Sequence, residues 1–395
     1  MFAKLMKSCK KAVNWLIFSH FIIDCYPGFI APLLPFIASK VGITMKDAMA
    51  IISIANISSY LLQPIFGYFS DKCRKRFFIF WGIIIASVFL PMMGLVESFL
   101  ALTVAIVLGE IGVGFFHPQS TSFVPRFCKD NEEATWSMGI FLSMGSIGYG
   151  VGALVATNIY ERFGEQAIMY TAIIGVMTAL SMFFFVPKVS CDETGEQKEK
   201  ISLITSIREI FSLRLERILI ASSIAKSIVV SSYTLIMPFF WKSIHLSASK
   251  IGLISCAFLA TSTLGMIAAP KFEKKIGSRN TFYFSFLLTL PLALAMAFFM
   301  GRNLAVAIVL YSIIGFVIFL TQPINVVMSQ KLLPKFKSTI SGVVGGFTWG
   351  IVGALLPILS FFMEKIGILN GMLAVAAIPL VMCIWVREIP EKPLD

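Results

Sequence analysis

With 395 residues, of which 57% are hydrophobic and only 14% charged, and a mean hydropathy of +0.86, the chain has too few charges to cover itself in water. That composition excludes a soluble globular protein and is that of a polytopic membrane protein. The net charge of +12 does not mark a nucleic-acid binder, because Lys and Arg fall between apolar runs and form no basic domain.

The N-terminal MFAKLMKSCKK precedes an apolar run from about Val13 to Ala38, which is too long for a signal-peptide core and lacks an A-x-A site. It reads as a first spanning helix. Runs of about 20 apolar residues, the length a bilayer requires, follow near 48–70, 77–96, 99–125, 136–160, 167–187, 218–241, 249–270, 281–300, 303–327, 338–363 and 367–386. The expected fold is therefore an all-α membrane protein of twelve transmembrane helices. Residues 1–187 form a first six-helix half, 188–217 a polar linker and 218–395 a second half. Within the linker, ISLITSIREIFSLRLER has helical spacing of Ile, Leu and Phe between charges. It reads either as an amphipathic helix on the membrane or as a plain linker helix.

With the N-terminus placed inside, 25 of the 33 Lys and Arg fall in inside segments and seven in outside segments, with Lys226 within a span. The positive-inside bias predicts both termini on the cytoplasmic side of a bacterial-type inner membrane. The halves also repeat. Pro125-Arg126-Phe127 matches Pro334-Lys335-Phe336, Tyr149-Gly150-Val151-Gly152-Ala153-Leu154 matches Trp349 to Leu355 with one insertion, and Glu161-Arg162-Phe163-Gly164 matches Glu364-Lys365-Ile366-Gly367. A six-plus-six parallel repeat is the arrangement of a major facilitator transporter, which holds its solute between halves near the midplane.

Ionisable residues inside spans are costly and are functional candidates by default. In the first run, His20 and Asp24 lie one turn apart on one face, in a helix made breakable by Pro27, Pro32 and Pro35. Burial favours the neutral acid, which suits Asp24 to carry a proton; a static hydrogen bond is the alternative. His20 is a partner of Asp24, a solute contact or a satisfied buried histidine. In the fourth run, Gly109 to Arg126, Glu110 and His117 lie two turns apart, and Pro118 predicts a bend. Gly109, Gly112 and Gly114 form a strip on which another helix could pack. Glu110 is a second proton carrier or one member of a structural pair. Lys226, the cation within a span, either pairs with Asp24 or Glu110, holds an anionic solute, or snorkels to the interface. Gln63, Gln119, Gln322 and Asn325 are neutral polar contacts for a solute.

Between runs two and three, Gly67-Tyr68-Phe69-Ser70-Asp71-Lys72-Cys73-Arg74-Lys75-Arg76 resembles the major facilitator loop signature, with Arg74 where a second glycine is expected. Asp71 at a helix end can pair with Lys72, Arg76 or the dipole of a facing helix, a latch that breaks and re-forms as the halves rock. A degenerate copy runs from Ala269 to Arg279. The His20/Asp24 pair, the stretch Leu61 to Tyr68 leading into Asp71-Lys72, and Phe116-His117-Pro118 with Ser120, Ser122 and Arg126 together resemble the fosmidomycin resistance protein family. That resemblance covers most of the first half and implies a proton-coupled exporter of small drugs with Asp24 and His117 in its cavity. The chain differs from the antiporter signature in the fifth run, where Gly145 to Gly152 keeps glycines without a proline, and in having Glu110.

The expected function is proton-coupled alternating access for a small polar or anionic solute, with export as the first reading and import of a nutrient, metabolite or siderophore as the alternative. A receptor built on the same fold is a third reading. An enzyme is not expected, since no nucleophile–base pair appears in the spans, and an ATP-driven pump is not expected without a Gly-x-x-x-x-Gly-Lys-Ser/Thr loop. No cofactor is expected. The seven scattered Cys, without C-x-x-C or a His/Cys cluster, indicate neither disulfides nor a metal site. The expected partners are the solute, protons and the lipid bilayer, with the chain a monomer.

Overall fold

A backbone inside hydrocarbon must satisfy its own polar groups, and only helices do so within one segment. The computed structural model follows that constraint. It describes residues 2–63, 65–66, 76–129, 131–187, 203–333, 340 and 343–391, and among these there are helices and turns but no strands. In chain order the helices are α1 (Phe2–Gly28), α2 (Ile30–Val41), α3 (Met45–Asn56), α4 (Phe77–Phe89), α5 (Phe99–Phe123), α6 (Asn131–Phe163), α7 (Ala172–Phe185), α8 (Leu203–Ser212), α9 (Arg214–Ser231), α10 (Met237–Ser243), α11 (Ala248–Ile276), α12 (Ser278–Met300), α13 (Leu304–Phe319), α14 (Thr321–Leu332), α15 (Thr348–Ile366) and α16 (Ile368–Val386).

Eleven helical stretches among the described residues are long and apolar enough to cross a membrane. The remaining expected run, near 48–70, begins as α3 and continues through a π-turn, Ile57–Leu61. Gly67, Asp71 and Lys72 lie outside the described residues, as do Pro334-Lys335-Phe336 and 188–202. Large apolar side chains stand outward, Phe184 at 87% exposure and Ile267 at 63%, as lipid-facing positions require.

Local chemistry sets the helix ends. Thr44 and Asp47 form a reciprocal capping box at the start of α3. Ser98 and Asn303 accept the amides of Ala101 and Val306 at the starts of α5 and α13. The repeated motifs adopt matching backbones. Glu161 to Gly164 and Glu364 to Gly367 each end on a glycine at positive φ, +82° and +89°, from which the next helical segment starts. Two arginines also match. Arg76 donates to the carbonyls of Met182 and Val186 at the end of α7, and Arg279 donates to Ile389 O just past α16, at 2.7 Å. In each case a guanidinium meets the negative end of a helix.

The chain divides into two compact units, 1–196 with 241–256, and 197–240 with 257–395. In the second unit the linker helix α8 is anchored by Ile210, which is fully buried against Ile220, Leu333, Ile340 and Val344. In the first unit α6 lies on α1 backbone to backbone. A Cβ at Gly148 would stand 2.2 Å from Phe21 O, and one at Gly152 would stand 2.0 Å from Cys25 O. The glycines of the fifth run are thus the face that lets α1 approach.

Gly152→Ala should therefore destabilise the protein by about 1–3 kcal/mol, the usual range for overpacking. Gly139→Ala on the same helix, where an added Cβ meets none of the described residues within 4 Å, should leave stability unchanged or slightly raised. Thermal unfolding of the two variants in detergent checks this.

Candidate functional site

The helical spacing of α1 places His20 and Asp24 on its α6-facing side. His20 Nε2 lies 3.2 Å from Asp24 Oδ2, and His117 of α5 brings its Nε2 to 3.4 Å from Asp24 Oδ1. The two imidazoles meet edge to face at 5.1 Å. Exposure rises from His20 (side chain 4%) through Asp24 (16%) to His117 (26%), so the cluster opens on the His117 side.

α6 completes the cluster from behind. The His20 ring stacks on Phe141 at 3.9 Å, and His20 Nδ1 lies 2.6 Å from Phe141 O. A carbonyl oxygen only accepts, so Nδ1 carries a hydrogen. That fixes the tautomer, and Nε2 presents to Asp24 either a lone pair or, in the imidazolium, a second N–H. One turn along α6, Gly145 makes room. A Cβ there would fall 2.5 Å from His20 Nε2 and 2.6 Å from Asp24 Oδ2. Pro118 sits within α5 just after His117, and the hydroxyls of Ser120 and Thr121 donate to the His117 carbonyl.

Glu110 is buried on α5 within electrostatic reach of Asp24. Tyr60, on the π-turn after α3, and Tyr149 of α6 lie within electrostatic reach of both acids. A π-turn often marks a functional position, and here it carries Tyr60. Sequence reasoning did not single out Phe141, Gly145, Tyr60 or Tyr149 for this site. Only the glycine run and the aromatic content of the spans hinted at them.

In the second unit Lys226 is 1% exposed and is the buried Lys or Arg side chain among the described residues. Its Nζ donates to Gln322 Oε1 and lies over the rings of Phe319 and Trp349, at 5.4 and 5.6 Å. It is held among its neighbours by an amide and two π-faces and does not reach out to an interface. Asn325 is buried and donates to Leu219 O at 2.9 Å, joining α14 to α9. Gln119 is fully buried, and its Oε1 accepts the amide of Ile79 at 2.9 Å. Ile79 is the third residue of α4, one of the positions whose N–H has no partner inside its own helix. Arg76 is committed to the end of α7, as described above.

A model of the Major Facilitator Superfamily matches residues 16–357. The chain belongs to the Major Facilitator Superfamily. It is 25% identical over 358 residues to the fosmidomycin resistance protein of Escherichia coli (strain K12), covering 89% of this chain and 86% of that protein. It is 23% identical over 199 residues to the quinolone resistance protein NorA of Staphylococcus aureus, covering 50% of this chain and 51% of NorA. A bacterial homologue of the human lysosomal transporter Spinster shares the fold, with a TM-score of 0.77 at 14% identity over 96% of each chain. The chain is accordingly a multi-pass membrane transporter, with the family and fold of transporters rather than of enzymes.

Because Gln119 caps α4, Gln119→Leu should leave the Ile79 amide unpaired and cost about 1–3 kcal/mol of stability, with solute affinity unchanged. Thermal unfolding together with a transport KM checks this.

Proposed function

We propose that this facilitator exports a small polar or anionic solute in exchange for protons, with Asp24 and its two histidines as the coupling site. The observation that carries the reading is the commitment of His20 Nδ1 to Phe141 O. With Nδ1 occupied, one proton between His20 Nε2 and Asp24 Oδ2 satisfies both atoms, as N–H···O⁻ or as N···H–O. Without it, a lone pair faces a carboxylate oxygen at 3.2 Å. The pair thus has two states of unequal energy, and the proton chooses between them, which is what biases a two-state carrier. Glu110, buried on α5 within electrostatic reach of Asp24, is the second acid through which charge at the site can be balanced.

Lys226 supports an anionic solute. Among the described residues, one of its three N–H donors is spent on Gln322 Oε1 and Nζ otherwise faces π-clouds, so an anionic group would supply acceptors that these surroundings provide sparingly. His117, the most exposed member of the cluster, is the solute-facing histidine. Gly67, Asp71 and Lys72 belong to the latch of alternating access, with Arg76 tying their loop to the end of α7, and both termini lie on the cytoplasmic side of the inner membrane. Likeness to the fosmidomycin resistance protein and to NorA supports export and makes fosmidomycin the first solute to try.

The test is fosmidomycin susceptibility of a sensitive bacterium, with proton flux in proteoliposomes as the second readout. Wild type should protect and should couple solute to proton movement. Asp24→Asn should abolish both while the protein still inserts and unfolds normally. Full gradient-driven transport by Asp24→Asn would sink the coupling assignment. Accumulation of the solute in right-side-out vesicles would reverse the direction.

A further inference from the structure

We propose that His20 Nε2, the Asp24 carboxylate and His117 Nε2 form a binding site for a divalent transition-metal cation of the Zn²⁺/Co²⁺ class. The ligand atoms of the three residues lie within 4.8 Å of one another. A tetrahedral ion with bonds of about 2.0–2.1 Å to imidazole nitrogen and carboxylate oxygen sets neighbouring ligand atoms about 3.3–3.4 Å apart. The nitrogen–oxygen separations here are of that size, 3.2 Å from His20 Nε2 to Oδ2 and 3.4 Å from His117 Nε2 to Oδ1, so each imidazole faces its own oxygen of the one carboxylate. The three groups thus already lie within 4.8 Å of one another, and binding one ion requires the two imidazoles to close on a single oxygen or the carboxylate to turn between them.

Four further observations support the assignment. His20 donates Nδ1–H to a backbone carbonyl, the outer contact that orients metal-bound histidines and leaves Nε2 free for the ion. Asp24 Oδ1 is buried and has no hydrogen-bond partner among the described residues, although His117 Nε2 is 3.4 Å away. The two atoms are close without being aligned for a hydrogen bond, as befits groups that converge on a point between them. Gly145 keeps a Cβ out of the space beside His20 Nε2 and Asp24 Oδ2. Finally, the 26% exposure of His117 leaves a side open through which a water or an anionic solute group can take a fourth position.

Two imidazoles and one carboxylate suit Zn²⁺, Co²⁺, Ni²⁺ and Cu²⁺ and are a poor set for Mg²⁺ or Ca²⁺, which take all-oxygen shells. The ion would occupy the space between the same atoms that hold the coupling proton. The site stands on the cluster's geometry and not on transport coupling, so it can be tested without a gradient.

The experiment uses the full chain, purified in detergent through a tag that contains no histidine, with Co²⁺ as the probe. Calorimetry and the visible ligand-field spectrum are the readouts. Wild type should bind one Co²⁺ per chain and show the intense bands of a low-coordinate site. Asp24→Asn and His117→Gln should each weaken binding at least about tenfold, in line with the sensitivity of metal affinity even to outer contacts. His245→Ala, which removes the remaining histidine of the chain, should leave binding unchanged. Thermal unfolding of each variant without metal confirms that it is folded. No Co²⁺ spectrum from folded wild type, or equal affinity in the Asp24→Asn/His117→Gln double variant, overturns the proposal. Co²⁺ binding by folded wild type that gives no fosmidomycin protection and no proton flux would uphold the metal site and separate it from the proposed transport role.

Discussion

The contact on which the site depends is the hydrogen bond from His20 Nδ1 to the carbonyl of Phe141. A backbone carbonyl cannot exchange roles with its donor, so this bond decides which nitrogen faces Asp24 and leaves that nitrogen with a lone pair or a proton and nothing else. Both functional proposals follow from it. A proton between Nε2 and Oδ2 closes the pair, and a metal cation satisfies the same atoms. The bond is itself a packing product, because α6 reaches α1 only where glycines replace side chains. Gly145, Gly148 and Gly152 line that approach, and a Cβ at any of them would strike the cluster or the α1 backbone.

The second unit solves a related problem differently. Lys226 is as buried as His20, but it is stabilised by a neutral amide and two aromatic faces rather than by a buried carboxylate within its own unit. Without an ion-pair partner among the described residues of its own unit, Lys226 is the residue proposed above to meet an anionic solute. The paired arginines show how the repeat divides its labour. Arg76 and Arg279 each hold the end of the last spanning helix of their repeat, which ties loop to helix in both halves while the polar residues of the spans diverge.

Much of the fold was legible in the chain because the bilayer demands it. Long apolar runs, glycine strips and Pro-broken helices have few other physical solutions, and the twelve runs and the internal repeat could be read directly. The His20/Asp24 pair was legible through its one-turn spacing. The approach of His117 to Asp24 followed only from the family resemblance and not from spacing, since it comes from another helix and depends on how α5 packs, and for the same reason no metal-ligand pattern was visible. Gln119 shows a subtler limit. A glutamine in an apolar run looks like a solute contact, yet its oxygen serves an amide at the start of α4, and no local pattern reveals which helix end will need an acceptor. Lys226 stood out at once as a cation within a span, but its partner Gln322 lies in a different helix and became visible only with the packing of α9 against α14.

The measurement that tests the central claim most directly is the imidazole ¹⁵N spectrum of the full chain in lipid, with His117 and His245 both replaced so that the His20 signals stand alone. The account predicts that Nδ1 of His20 stays protonated across the working pH range while Nε2 shifts with the proton shared with Asp24, and that Asp24→Asn removes that shift. A neutral His20 with its hydrogen on Nε2 and a bare Nδ1 would contradict it, and with it the shared-proton mechanism and the orientation of the metal ligand.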